Sequence, residues 1–504
     1  MTNPSRIFCI GIDAMDKDLI KRWVDEGVLP NFSILFNQAT YGATSCPRGL
    51  EASSVWPSFN MGLNPGHHGQ YNGHAHFDSD TYRDFVFYQE DELKWDPFWV
   101  TLSRASKRVI VLDPAYARLQ ENINGICVVD WATHARRDDS VLCTYPAGLA
   151  SEVETNYGLD VIGKCDDHRP KSAQEHIAFR DKLIDRARRK TALASHLLKR
   201  ENWDFFLTVF YEAHCIGHQA WHVHDSENAD HDPALSQVVG DPVKDVYIAI
   251  DACMGELLEQ IDEETMVIVF VSHGMQSHYT GANFLDDILA QLENTKETPV
   301  RKSAGGIVRK AWVNAPAPVR KALMPLRRGV VHQLADKKNR KYFEVINNFA
   351  TAGIRVNLAG RERNGMVQPG EEYDTLCQEL IEALSAFTNP DNGEPLFEEI
   401  LKTSDLYEGD FLHELPDLLA RWNRPIPINR AYSPKTGLLE NTHGHSRTGD
   451  HTPWGMFFAV GPSIGHRALN RTVACIDFAP TISTLLGVDF QGFDGQRIGE
   501  LCET

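Results

Sequence analysis

Three apolar runs in this 504-residue chain each end in side chains suited to binding a divalent cation or moving a proton. Ile7–Ile12 leads into Asp13. Phe205–Phe210 leads into Tyr211-Glu212-Ala213-His214, with His218 four residues on. Met266–Val271 leads into Ser272-His273-Gly274-Met275. Neutral imidazole and carboxylate are good zinc donors, and a strand end fixes their direction. A single histidine after a strand is most often an ordinary surface or core residue; three strand ends carrying such groups are harder to dismiss. His214, His218 and His222 recur at a spacing of four, so on a helix they would share one face. For His222 and His224, a plain polar surface accounts for the sequence about as well as contact with substrate or metal.

The elements that must position these groups are legible around them. Ile7–Ile12, Val109–Leu112, Phe205–Phe210, Met266–Val271 and Met456–Val460 read as buried strands of a parallel sheet. Amphipathic helical patterns lie between them, at Asp181–Leu198 and Val246–Ile261. Alternation of this kind indicates an α/β fold, a doubly wound, mostly parallel sheet flanked by helices. In such sheets ligands sit beyond the carboxyl ends of the strands, where Asp13, His214 and His273 fall. Further on, Gly353–Leu358 reads as a short strand, Glu371–Leu384 as an amphipathic helix, and Asp477 as the opening of another helix with Pro480 near its start.

Residues 291–345 differ in texture, with 13 Lys or Arg against 4 Asp or Glu and four prolines. They read as an irregular insertion outside the sheet. A solvated arm or a hairpin joining copies of the chain into a homo-oligomer is the plainer account; a cationic lid over an anionic substrate is the sharper one. The expected organisation is a main α/β domain over 1–290, a basic arm or lid over 291–345, a smaller cap over 346–430, and a return to the main domain over 431–504.

Composition excludes several classes. With 50 basic against 69 acidic residues the net charge is −19, which leaves no bulk footprint for nucleic acid. A hydrophobic fraction of 42% is too high for a disordered chain. No uncharged apolar stretch is long enough for a membrane span, so no membrane partner is expected. The start of the chain enters a strand without a basic region, and ten cysteines are scattered without a CxxC pair. Both features favour a reducing, cytoplasmic setting.

The residues also form a recognisable series. Gly11-Ile12-Asp13-Ala14-Met15, Gly27-Val28-Leu29-Pro30-Asn31-Phe32, Met61-Gly62-Leu63-Asn64-Pro65-Gly66-His67-His68-Gly69, His273-Gly274-Met275 and Gly449-Asp450-His451 resemble, in order, segments of the alkaline phosphatase superfamily. The branch they resemble is the type I phosphodiesterase/nucleotide pyrophosphatase group. Asn357–Glu362, Val367–Glu371, Leu415–Leu418 and Asp477–Thr481 extend the likeness over nearly the whole chain. The resemblance implies two divalent cations, usually zinc with manganese as the alternative, a Ser or Thr nucleophile, and a covalent intermediate that water then releases. It places Asp13, Ser272 and His273 around one cation and His214, His218 and His451 around the other.

Several positions depart from that pattern. The family's Asp-x-x-x-His pair is His214 and His218 here, and the Asp of its Asp-His-Gly motif is Ser272. Asp13 is then the one carboxylate among six ligand positions, so whether one or two ions bind is open. Glu212 and Asp450 are neighbours that could restore charge, directly or as acceptors behind the histidines. The nucleophile position falls on Ala52, followed by Ser53 and Ser54. A shift of one residue in the turn would offer either hydroxyl at a helix N-terminus; Ser53 is favoured over Ser54, and a capping role for both is the plainer alternative. Of the polar residues nearby, which include His67 and His74, Asn72 and His76 read as pocket candidates, with His222 and Glu212 as further substrate contacts. His443 or His445 would replace His451 if that match were displaced. Cys46-Pro47-Arg48 has the wrong spacing for a sulfatase nucleophile.

The leading expectation is a metal-dependent hydrolase that cleaves a phosphodiester or pyrophosphate bond in a small anionic substrate through a serine-linked intermediate. A member that binds an anionic ligand or partner without turnover is the alternative, as is a transferase that passes the phosphoryl or nucleotidyl group to another acceptor.

Overall fold

The computed structural model describes residues 5–73, 75–88, 94–134, 142–160, 162–293, 337–444, 447–462, 464–489 and 491–502. The chain divides into two compact units, one comprising Met1–His74, Asp91–Ser277 and Arg447–Thr504, the other Ala75–Glu90 and His278–Ser446. The main unit therefore stops at Ser277 rather than 290 and resumes at Arg447 rather than 431, and Ala75–Glu90 goes with the smaller unit. Most of the basic segment, 294–336, lies outside the described residues.

The first unit is built on one large sheet. Its main strands are β1 (Arg6–Ile12), β2 (Thr40–Ser45), β3 (Val109–Leu112), β4 (Gly125–Val129), β5 (Cys143–Tyr145), β6 (Phe205–Phe210), β7 (Thr265–Val271) and β8 (Trp454–Val460). They lie in the order β2-β8-β7-β1-β6-β3-β4-β5. The run β7-β1-β6-β3-β4 is parallel, whereas β5, β8 and the β2–β8 pair are antiparallel. Alternate residues of β1 show why both faces are covered. Phe8, Ile10 and Ile12 pack with Leu183, Val246 and Ile250 on one side, while Ile7 and Cys9 pack with Val55, Phe59 and Phe478 on the other.

Met456–Val460, expected among the parallel strands, runs against its neighbour, pairing Met456 with Val271 and Val460 with Val267. An apolar run carries no sign of its direction. The reversal matters because an antiparallel strand begins where its parallel neighbours end. Residues just before β8, His451 among them, are thereby delivered to the carboxyl edge.

Helices that cover one face include α2 (Ala173–Arg200), α3 (Glu212–His224) and α4 (Pro242–Leu258). The helix α2 starts earlier than its apolar periodicity suggests, because Ser172 and Glu175 form a reciprocal capping box. It carries two fully buried cations. Lys190 Nζ donates to the carbonyls of Ala132 (2.8 Å) and Val209 (2.6 Å) and lies 3.1 Å from Asp113 Oδ2. Asp113 in turn accepts from the backbone N–H groups of Trp131 and Ala132. Arg186 Nε donates to Glu212 Oε1 at 2.7 Å. The loops after β3, β4 and β6 are thus held by charges out of reach of water.

The smaller unit has a four-stranded antiparallel sheet, ordered Tyr342–Val345, Thr351–Val356, Leu418–Trp422, Phe397–Lys402. Helix Glu371–Ser385 packs on it through Leu380 and Leu384. The end of the basic segment contributes the first of these strands and so belongs to a sheet. Arg361 clamps both oxygens of Asp417 at 2.8 and 2.6 Å, and Arg355 holds Glu362, so these family-like positions are structural ion pairs. Among the described residues no helix is long and apolar enough to cross a membrane.

Two predictions follow from the buried charges. Glu212→Ala leaves Arg186 without its closest carboxylate, and denaturant unfolding should show a loss of about 3 kcal/mol or more. In the smaller unit, burial and then the neighbouring Asp286 carboxylate push Glu344 up to about 8. A carboxyl raised in the folded state binds more protons there than when unfolded, so it lowers stability as pH rises from about 4.5 towards 8. The unfolding temperature of Glu344→Gln should therefore fall less between pH 5 and 8 than that of the parent.

Candidate metal and phosphoryl-transfer site

The carboxyl edge of the sheet gathers most of the expected residues. Asp13 follows β1, Ser272 and His273 follow β7, and His214 and His218 lie on the first turns of α3 after β6. His451 comes from the short strand Gly449–Thr452, which pairs antiparallel with Gly274–Ser277 so that His451 faces Met275. Close approach makes this possible. A Cβ on Gly449 would stand 2.3 Å from the Gly217 carbonyl, so only glycine lets this strand lie against α3.

His214, His218 and His451 present nitrogens that all lie within 4.8 Å of one another. His218 Nδ1 donates to the Gly449 carbonyl at 2.7 Å, leaving Nε2 as a lone pair 3.1 Å from His214 Nε2. Two imidazole nitrogens on one tetrahedral zinc stand about 3.3 Å apart. The donor set therefore fits a cation. Burial, and then the Arg447 guanidinium, push His218 down to about 3, and burial holds His214 and His451 well below the ordinary histidine value. All three are neutral at physiological pH, as ligation requires.

Asp13, Ser272 and His273 are organised differently. Asp13 Oδ1 accepts from the Trp56 indole N–H at 2.7 Å and from the Ser272 hydroxyl at 2.9 Å. Ser272 Oγ also lies 2.8 Å from His273 Nδ1 and accepts from the Ala14 N–H at 3.2 Å. Burial raises Asp13 to about 6, against the hydrogen bonds from Trp56 and Ser272 that pull it down. The trio is a hydrogen-bonded chain rather than an open cradle.

The two candidate serines are separated by their surroundings. Helix α1 (Glu51–Met61) contains Pro57, which has no N–H to offer the Ser53 carbonyl one turn back. The Gly73 N–H takes that acceptor at 2.9 Å and draws the Gln70–Gly73 turn, with Asn72, against the start of the helix. Ser54 Oγ is fully buried and donates to the Gln70 carbonyl at 3.1 Å. The Ser53 hydroxyl is half-buried and has no hydrogen bond among the described residues. It sits three residues before Trp56, on the same side of the helix as the indole that reaches Asp13.

Other candidates lie elsewhere. Glu212, considered for substrate or charge balance, is sealed against Arg186 because it stands two residues, about 200° of helix, from His214. His222 leaves the row of His214 and His218 because Ala220 has non-helical angles (φ −137°), and its ring lies by His176. His224 Nδ1 donates to Asp241 Oδ2, and His67 pairs with Asp494. His76 and His443 belong to the smaller unit, where His76 stacks on Tyr88 and His443 pairs with Asp287. His74 and His445 lie outside the described residues. Asp450 is buried beside His451, 3.7 Å from its Nδ1.

Two site residues escaped the sequence reading. His134 stacks on His214 with centroids 3.7 Å apart and brings Nε2 within 3.7 Å of Asp13 Oδ2. It follows β4, Gly125–Val129, a short run whose chain continues through Asp130 and Trp131 to His134. Arg447, two residues before Gly449, forms a two-pronged pair with Asp166 at 2.7 and 2.5 Å beside the histidines.

The type I phosphodiesterase/nucleotide pyrophosphatase family matches residues 7–446. Among solved structures, murine ectonucleotide pyrophosphatase/phosphodiesterase 5, an inactive variant in complex with AMP, is 12% identical, with 98% of this chain and 97% of that chain covered and a TM-score of 0.51. The human form is 13% identical over 97% of each chain, with a TM-score of 0.50. No curated protein matches. The likeness to the solved structures is one of fold, and the family match covers most of the sequence: the chain belongs to the type I phosphodiesterase/nucleotide pyrophosphatase family of the alkaline phosphatase superfamily, a family of phosphoric ester hydrolases.

Proposed function

We propose that the chain hydrolyses a phosphodiester or pyrophosphate bond in a small nucleotide-type substrate, with Ser53 as nucleophile and a divalent cation, zinc, on His214, His218 and His451. The observation that carries this reading is the convergence of three buried neutral imidazoles at the sheet edge that also holds Asp13, linked through Trp56 to the N-terminal turn bearing Ser53. A cation held there supplies Lewis-acid stabilisation of the charge that develops on the phosphoryl oxygens. Ser53 Oγ attacks phosphorus, the leaving oxygen departs, and water later cleaves the Ser53–phosphoryl ester. The N-terminal turn of α1, with its partial positive charge, favours negative charge near that hydroxyl. Asp13 and Trp56 fix the orientation of α1 against β1.

AMP in the murine relative supports a nucleotide-type ligand here. The ten cysteines are all free thiols, which supports a reducing, cytoplasmic setting. The test uses a chromogenic phosphodiester. Ser53→Ala should lower kcat by about 10³-fold or more with metal content unchanged. Ser54→Ala should retain most of the turnover, and a chelator should remove it. Full activity in Ser53→Ala would overturn the nucleophile assignment; binding of AMP by the parent without turnover of any phosphoester would overturn the hydrolase reading.

A further inference from the structure

The helix that carries two of the three imidazoles is broken at a residue that does not break helices. Ala220 of α3 has non-helical angles, φ −137° and ψ 16°. Alanine is the most favourable helix residue, and α3 contains no proline. A kink without such a cause points to a group inserted from outside the helix. Thr448, on the segment that leads to His451, is that group. Trp221, the first residue after the break, donates its N–H to Thr448 Oγ1 at 3.0 Å. The Thr448 hydroxyl donates in turn to the His218 carbonyl at 3.3 Å, and the Thr448 N–H reaches the same carbonyl at 2.7 Å.

These bonds fasten a strand to a helix at the place where the imidazoles meet. One residue on, the Gly449 carbonyl accepts from His218 Nδ1 at 2.7 Å. His451 follows two residues later, on the same side of the strand as Gly449. The far edge of this strand pairs with Gly274–Ser277, which sets Gly449 opposite Ser277 and His451 opposite Met275. His214 and His218 keep their spacing through the helix itself, whereas His451 comes from elsewhere in the chain. Its distance from them depends on where the strand sits along α3. Thr448 fixes that place, because its bonds to the His218 carbonyl and from the Trp221 N–H can all form in one register only. A methyl in place of the hydroxyl would leave the Trp221 N–H without this acceptor.

We propose that Thr448 is a positioning residue for the candidate cation site: its hydroxyl, seated in the break of α3, sets His451 at ligating distance from His214 and His218. The inference rests on the metal-dependent reading above and adds a residue to it. The Thr448 oxygen is engaged by the helix backbone, so it acts through His451 and not as a ligand. Groups that orient metal ligands from behind are worth about ten- to a hundredfold in affinity.

The test is the Zn²⁺ affinity of the full-length protein, measured by competition with a chromophoric chelator. Thr448→Val and Thr448→Ala should each weaken binding about ten- to a hundredfold, and Thr448→Ser should restore the parental affinity. In a His451→Ala background, Thr448→Val should cause no further loss, because the side chain it positions is already gone. The Co²⁺ form gives a second readout: Thr448→Val should shift the visible spectrum of the parent towards that of His451→Ala. Parental affinity in both Thr448→Val and Thr448→Ala would overturn the inference. An equal loss with and without His451 would overturn action through that histidine. Thr448→Ser binding no better than Thr448→Ala would overturn the role of the hydroxyl. A parent that binds no Zn²⁺ would overturn the metal-dependent reading itself, on which the inference rests.

Discussion

A buried ammonium holds the reacting edge in place. Lys190 has no solvent exposure, and its positive charge is tolerable because Asp113 and two backbone carbonyls surround it. Those carbonyls belong to the loop after β4 and to the end of β6, and Asp113 opens the loop after β3. One side chain of α2 therefore ties three neighbouring strand ends together. One turn earlier, Arg186 secures the start of α3 through Glu212. Removing either cation would leave carboxylate unpaired in the core, so the strand ends cannot separate without large cost. His134 and His214 are stacked on one another because their loops are fixed in this way.

The same burial that makes isolated charges expensive keeps the histidines neutral. Five imidazoles, at 134, 214, 218, 273 and 451, crowd this edge, and burial disfavours the protonated form of each. The hydrogen bonds each can make then decide its tautomer. His218 is set by the Gly449 carbonyl and His273 by Ser272. Exchanging an acid for Ser272 is thus more than the loss of one ligand, because the hydroxyl brings a proton that goes to Asp13.

Much of this was legible in the chain itself, for specific reasons. The apolar runs before Asp13, His214 and Ser272 are long and bounded, and each is a strand of the expected sheet. Strand direction is not encoded in such a run, so the antiparallel course of Trp454–Val460 could not be read from it. His134 carries no such signal, because Gly125-Ile126-Cys127-Val128-Val129 is short and opens with glycine. Glu212 could have been separated from His214 by helical geometry alone, since residues two apart do not share a face. His222 could not, because the break at Ala220 depends on how α3 packs. The different surroundings of Ser53 and Ser54 depend on the Gln70–Gly73 turn packed against the helix start, which the sequence does not reveal. The missing N–H of Pro57, which frees the Ser53 carbonyl, is visible in it.

The three imidazoles of the cation site are unevenly distributed along the chain. His214 and His218 stand one turn apart, whereas the bond from His218 to Gly449 spans 231 positions. During synthesis the larger part of the smaller compact unit, His278–Ser446, is made between the second histidine and the third. Until residues beyond it have been added and have folded back beside β7, the emerging polypeptide offers only a two-histidine fragment, a poor trap for a cation. A cation held by all three would therefore report that the polypeptide has been completed past His451, and a chain interrupted before that residue would not bring the trio together.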